Sequence, residues 1–198
     1  MIDKFNKEMS AFFAKLYGAD SKVLVFGAGD VHAQLMLIGE APGAQETLKG
    51  IPFVGKAGKN LDEFLQATGF VREELYITNT VKFRPVKRSS SGNLVNRPPT
   101  REEVALFLPW LKREMQLVAP RCVVTLGNTA LQALMGRGVV IGDVHGMFQK
   151  ADGQVLFPLY HPASLIYNRA LMPAYQADLQ LLSQWRAASP DEIKRPSK

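Results

Sequence analysis

The chain has almost no cysteine. Cys122 stands alone among 198 residues, which excludes an intrachain disulfide framework and leaves no cysteine cage for zinc or iron. It lies in the apolar run Cys122-Val123-Val124-Thr125-Leu126, the setting of a packed thiol and not of a nucleophile. Long hydrophobic runs are missing too. No stretch is long enough to span a bilayer, and the first residues carry no apolar signal-peptide core, so the expectation is a cytoplasmic protein with no membrane partner. Negative charge is in short supply: 24 Lys and Arg face 18 Asp and Glu, a net charge of +6 with a pI near 9.5, and that balance favours an anionic partner.

What is present is enough for one core. With 46% hydrophobic and 21% charged residues, the chain reads as a single soluble domain over residues 1–188, followed by a flexible tail, 189–198, to which no role is assigned. Phe5, Met9, Phe12, Phe13 and Leu16 recur at helical spacing and predict an amphipathic helix over residues 3–17. Leu35 to Ile38, Leu75 to Thr78, Cys122 to Leu126 and Val155 to Leu159 are short apolar runs, the form taken by parallel strands covered on both faces. Helical patterns fall between and after them: Leu61 to Leu65, Val104 to Val118 with a Thr100/Glu103 capping box, a segment that Asn128 could cap, and Tyr175 to Trp185. Repeated β-then-α order predicts an α/β fold, a three-layer α/β/α sandwich around a central, mainly parallel four-stranded sheet.

Three motifs follow three of these strands, so all would lie at one edge of the sheet. The first runs from Gly39 to Gly55, Gly-Glu-Ala-Pro-Gly-Ala-Gln-Glu-Thr-Leu-Lys-Gly-Ile-Pro-Phe-Val-Gly. Gly39 and Gly43 let backbone approach a ligand, Pro42 stiffens the turn, and the loop carries Glu40, Glu46 and Phe53. It lacks Lys-Ser/Thr and the Gly-x-Gly-x-x-Gly spacing, which disfavours a phosphate cradle. Thr78-Asn79-Thr80 follows the second strand and Tyr160-His161-Pro162-Ala163-Ser164-Leu165 the fourth. Alone, Asn79 fits a turn cap as well as a ligand group, and a single histidine is more often structural. Together the three offer carboxylates, an aromatic platform, an amide and an imidazole at one rim.

A basic segment separates two of the helical patterns. Lys82, Arg84, Lys87, Arg88, Arg97 and Arg101 lie in a stretch without acidic residues around Ser89-Ser90-Ser91-Gly92. It reads first as a solvated flexible loop, which is compatible with a mobile loop whose cations order on phosphates.

These blocks resemble the uracil-DNA glycosylase superfamily, most closely its family-4 branch. The similarity is carried by Gly39-Glu40-Ala41-Pro42-Gly43 with Glu46, by Pro52-Phe53-Val54-Gly55, by Asn79-Thr80-Val81-Lys82 and by His161-Pro162-Ala163. Arg97 to Val104 and Leu126 to Ala130 resemble the connecting blocks, and the likeness extends from about Val25 to Leu182 in the family's order. The resemblance implies hydrolysis of the N-glycosidic bond of uracil in DNA, single- or double-stranded, by a monomer that flips the base and leaves an abasic site. It implies that Phe53 stacks on the base, that Asn79 reads its edge, that backbone at Glu40 and Ala41 touches it, and that His161 donates to O2. Glu46 would orient water; Ala41 stands where family-1 members carry an aspartate. Lys82, Arg84, Lys87, Arg88 and Ser164 would meet the DNA. Leu165 would be either an apolar wedge filling the gap left by the base or an anchor for a helix start.

Departures from the family accompany the matches. Family-4 members usually hold a four-iron cluster through four cysteines, and Phe83 and Phe107 occupy two of those places. No iron–sulfur cluster and no metal are therefore expected, with aromatic packing involving Phe12 and Phe13 in its stead. A branch that captures abasic DNA covalently uses a histidine in the basic segment. Here that segment has none and Asn96 lies near the place, so capture is not expected. A glycosylase for another deaminated base, hypoxanthine or xanthine, and a catalytically weak uracil- or abasic-DNA binding protein are the alternatives.

Overall fold

A few short apolar runs organise the molecule into layers. In the computed structural model, which describes residues 1–18 and 22–188, helix α1 (Ile2–Tyr17) precedes strands β1 (Ala28–Gly29) and β2 (Leu35–Gly39). Helices α2 (Ala44–Lys49) and α3 (Lys56–Thr68) lead to β3 (Leu75–Asn79), then to a separate pair of strands, β4 (Val86–Arg88) and β5 (Leu94–Asn96). Helix α4 (Arg101–Val118), strand β6 (Cys122–Leu126), helices α5 (Asn128–Met135) and α6 (Ile141–Val144), and strands β7 (Gln149–Ala151) and β8 (Gln154–Leu159) follow. Helices α7 (Pro162–Tyr167) and α8 (Met172–Ala187) complete the described fold. The tail expected at 189–198 lies outside the described residues.

The four apolar runs become the parallel centre, in the order β3-β2-β6-β8. Strands β2, β3 and β6 are buried along their whole length, as parallel strands roofed by helices must be. Leu35, Leu37, Leu75, Ile77 and Val124 pack towards Phe64 of α3 and Leu179 and Leu182 of α8. Their neighbours Met36, Ile38, Tyr76 and Val123 face Leu111, Met115 and Val118 of α4. The two-residue period of a strand thus divides one sheet between two cores and yields the expected three layers.

The sheet has six strands, not four. β1 pairs antiparallel with β3 at one edge and β7 antiparallel with β8 at the other. Both additions are short and carry no apolar run. The β7–β8 turn is Asp152-Gly153 with both φ angles positive, 49° and 78°, the two-residue hairpin chemistry that matches strand twist.

Caps and loops follow local chemistry, with two corrections. Thr100 Oγ1 accepts from Glu103 N at 3.2 Å and the Glu103 carboxylate accepts from Thr100 N at 2.7 Å, the expected capping box. Asn128 does not cap α5: Gly127, at φ 82°, takes that position, and Asn128 Oδ1 accepts from Ile141 N at 2.9 Å, tying α6 to the start of α5. The segment from Lys82 to Arg101 is no structureless loop. β4 and β5 form a hairpin, closed by Ser89 N donating to Asn93 O at 2.8 Å. A bidentate Arg97–Glu103 pair, at 2.6 and 2.7 Å, fastens it to α4.

Aromatic rings join α1 to α4. Phe13 stacks on Phe107 with centroids 4.3 Å apart and planes 7° from parallel, and Phe83 lies 5.7 Å from Phe107. Phe12 meets Phe13 edge-on and leans on Trp110. Each such pair contributes about 0.5–1.5 kcal/mol beyond the area it buries.

Candidate active site

The carboxyl ends of the four parallel strands open on one cleft of about 720 Å³. The chain runs from β2 outward to β3, then returns past β2 to β6 and β8, so the loops after β2 and β6 diverge and leave a crevice between them. Each strand end supplies a piece of the lining: Glu40 and Ala41, Asn79, Gly127 to Thr129, and Tyr160 with His161. Thr129 Oγ1 donates to Glu40 Oε2 at 2.5 Å across the crevice. Glu46, Phe53, Arg84 and Ser164 also line it, so eight of the residues singled out from sequence (Glu40, Ala41, Glu46, Phe53, Asn79, Arg84, His161, Ser164) meet at one place.

Phe53 and Asn79 close over Gly39. A Cβ on Gly39 would come 2.5 Å from Asn79 Oδ1 and 2.6 Å from Phe53 Cζ, so no side chain fits there. Phe53 adopts φ 55°, a conformation an aromatic residue takes only when its surroundings compel it, at a cost on the order of 1–3 kcal/mol. The compulsion is visible. Arg72 Nη1 and Nη2 donate to the carbonyls of Phe53 and Pro52 at 3.2 and 2.6 Å. On the other side, Glu46 Oε1 accepts from Val54 N at 3.1 Å and Gly55 N at 2.7 Å, while Oε2 accepts from Gly43 N at 3.1 Å. Glu46 is 5% exposed, and its carboxylate is largely committed to holding the loop.

His161 is half-buried at the start of α7. Its Nδ1 accepts from Ala163 N at 3.1 Å, which assigns the remaining proton of the neutral ring to Nε2. Burial pushes its pKa below the usual histidine value, with the Glu40 carboxylate acting in the opposite direction. The backbone of Gly127 passes so close that a Cβ there would lie 3.1 Å from His161 Cβ, and its φ of 82° also requires glycine.

Two residues expected to meet DNA do not reach the surface. Lys82 is fully buried: its Nζ donates to Glu114 Oε2 and Thr78 Oγ1, each at 2.5 Å, and to Asn79 O at 2.7 Å. Burial lowers its pKa, and Glu114 opposes that shift. Nothing local announces this, because the partner that makes the burial tolerable, Glu114, lies 32 residues on. Leu165 is 4% exposed and packs in the core shared by α3 and α8, the placement of a helix anchor. Among the described side chains of α7, Tyr167 is the exposed one, at 91%. Lys87 and Arg88 are exposed on the hairpin, outside the cleft lining, while Arg84 Nε donates to Asn96 Oδ1 at 2.7 Å and both side chains wall the cleft. Arg72, Thr129 and Asn96 were not recognised as site residues, since their roles come from partners distant in sequence.

Phe83 and Phe107 fill with packed rings the places where the family-4 pattern has cluster cysteines. Cys122 is buried within β6, and burial pushes its thiol pKa up. One cysteine inside the sheet does not supply the four thiolates that a four-iron cluster takes. Among the described residues, no group of three or more His, Cys, Asp or Glu side chains is placed to hold a metal ion.

Comparison with known proteins agrees with this geometry. The family model described as the uracil DNA glycosylase superfamily matches residues 26–182. The type-4 uracil-DNA glycosylase of Pyrobaculum aerophilum is 40% identical over 168 residues, 81% of this chain and 82% of the relative. That of Thermotoga maritima is 37% identical over 149 residues, 74% and 73% of the two chains, and that of Archaeoglobus fulgidus 35% over 166 residues, 80% and 79%. The crystal structure of wild-type Pedobacter heparinus SMUG2 superimposes with a TM-score of 0.56 at 17% identity, over 89% of this chain and 80% of that one, a likeness of fold. With the match spanning all four parallel strands and the cleft at their ends, the chain belongs to the uracil DNA glycosylase superfamily, on its type-4 side.

Proposed function

We propose that the cleft hydrolyses the N-glycosidic bond between uracil and deoxyribose in DNA, leaving an abasic site. The convergence of Phe53 and Asn79 over Gly39, with His161 lining the same space, carries this reading. A base stacked within a duplex is out of reach, so the nucleotide is flipped into the cleft or taken from a single strand. Stacking on Phe53 contributes about 1–3 kcal/mol to holding the base. Asn79 donates to uracil O4 and accepts from N3–H. Asn79 is 3% exposed, so a base with the wrong edge leaves a buried polar group unpaired. His161 donates from Nε2 to O2, where negative charge grows as the bond breaks.

The deoxyribose develops positive charge as uracil leaves, and a carboxylate nearby stabilises it and orients water. Two are at hand. Glu46 is tied to three backbone amides, whereas among the described residues Glu40 is engaged only at Oε2, by Thr129, leaving Oε1 for water. We assign the water to Glu40 and the shaping of the Phe53 loop to Glu46. Arg84, Lys87 and Arg88 on the hairpin side and Ser164 beside His161 receive the phosphates, which position DNA without reading its sequence. In this reading the protein works as a monomer, in the compartment that holds DNA, the cytoplasm. No helix among the described residues is long and apolar enough to cross a membrane.

The test is a labelled oligonucleotide bearing one uracil, incubated with protein and then treated with alkali. Strand scission that disappears with His161→Ala supports the reading; binding without scission makes the protein a passive reader. Inosine and xanthosine in place of uracil identify any other base that it excises.

A further inference from the structure

We infer that the buried Lys82–Glu114 pair is a positioning device for Asn79, setting where its amide meets the flipped base. The inference rests on the proposed glycosylase reading and adds two residues that do not touch substrate. Lys82 Nζ spends its three protons on Glu114 Oε2, Thr78 Oγ1 and the backbone carbonyl of Asn79 itself. Glu114, from the middle of α4, also accepts from Tyr76 OH at 2.9 Å and from Thr78 Oγ1 at 3.2 and 3.3 Å. Three residues of β3, including its last, are thereby fastened to a helix of the opposite layer. On the cleft side, Thr80 N and Oγ1 donate to Gly39 O at 2.8 and 2.9 Å, and Val81 N donates to Glu40 O at 3.1 Å. The backbone that carries Asn79 is pinned from behind by an ion pair and from the front by the neighbouring strand.

A stability argument alone does not account for the pair. Both side chains are essentially unexposed, at 0% and 1%, and buried ion pairs generally contribute no more than apolar residues of the same volume, because desolvation offsets the attraction. What the pair supplies is geometry. Hydrogen bonds to a reacting base act only at the correct distance, and a misplacement of about 1 Å lowers a rate on the order of 100-fold.

A double-mutant cycle tests this. Lys82→Met/Glu114→Leu replaces the pair by apolar groups, and Thr78→Val, a smaller lesion, serves as a second variant should the first not fold. Single-turnover excision of uracil and affinity for abasic product DNA are measured for each variant, with and without Asn79→Ala. The expected result is excision lowered roughly 10- to 100-fold at unchanged product affinity, with Asn79→Ala causing little further loss in the variant background. Wild-type excision in a folded pair variant, or losses that multiply independently with Asn79→Ala, would overturn the inference while leaving the glycosylase reading intact. A wild-type protein that does not excise uracil overturns both.

Discussion

Arg72 holds the carbonyl of Phe53 from nineteen residues away, at 3.2 Å, and the adjoining Pro52 carbonyl at 2.6 Å. The two bonds form a fork, which a guanidinium makes and an ammonium does not. Phe53 keeps its left-handed backbone because this fork and the Glu46 carboxylate grip opposite ends of the turn. Arg72→Ala should lower stability by about 1–3 kcal/mol in urea titrations and reduce uracil excision, and Arg72→Lys should recover little of either. An Arg72→Ala protein with normal excision would remove the link between the fork and the aromatic platform.

The two cleft carboxylates should part company under substitution. Glu40→Gln should abolish most turnover while the unfolding midpoint hardly moves, because Oε2 has a single hydroxyl partner. Glu46→Gln should cost about 1–3 kcal/mol of stability, since an amide cannot accept from all the backbone donors that the carboxylate now serves. If Glu46→Gln lost turnover at full stability, the roles would be reversed.

His161 predicts an acid limb. Its folded-state pKa lies below the unfolded value of about 6.5, because burial disfavours the imidazolium. Between the two pKa values the unfolded chain binds more protons, so this group's contribution to stability rises with pH across that window. It is complete above the unfolded value and lost as pH falls through the folded one. Excision, which uses the neutral ring, should stay level down through pH 6.5 and fall only as pH drops past the depressed folded-state value. Glu40→Gln removes the opposing influence and should move the His161 titration, followed by nuclear magnetic resonance, to still lower pH. A shift upward would contradict the electrostatic assignment.

The hairpin should act through charge alone. Lys87→Ala and Arg88→Ala should each weaken binding to any DNA sequence and lower the slope of log affinity against log salt by about 0.7–0.9 if one phosphate contact is lost. Lys82→Met should leave that slope unchanged and instead destabilise the fold by about 3–5 kcal/mol, because Glu114 is left buried without its partner. Equal salt slopes in all three variants would refute the separation of surface from buried cations.

The parallel centre of the sheet was legible because β2, β3, β6 and β8 read as unbroken apolar runs and the motifs sit at their ends. β7 was not, since Gln149-Lys150-Ala151 has no apolar signature and only Asp152-Gly153 announces the turn. The hairpin around Ser89 to Asn93 escaped for a similar reason: its strands pair with each other and bury little. Lys82 misled because a lysine in a basic segment is usually solvated, and only Glu114, 32 residues on, makes its burial tolerable. The φ of Phe53 and its grip by Arg72 depend on tertiary contacts with no local signature.

The stack of Phe13 on Phe107 decides which force holds α1 against α4. Dispersion and the exclusion of water join α1 to α4, and neither force is touched by chelators, oxidants or the supply of inorganic sulfide. The junction of these two helices is therefore made by side chains that the chain itself carries, and its strength follows the apolar area that the rings bury.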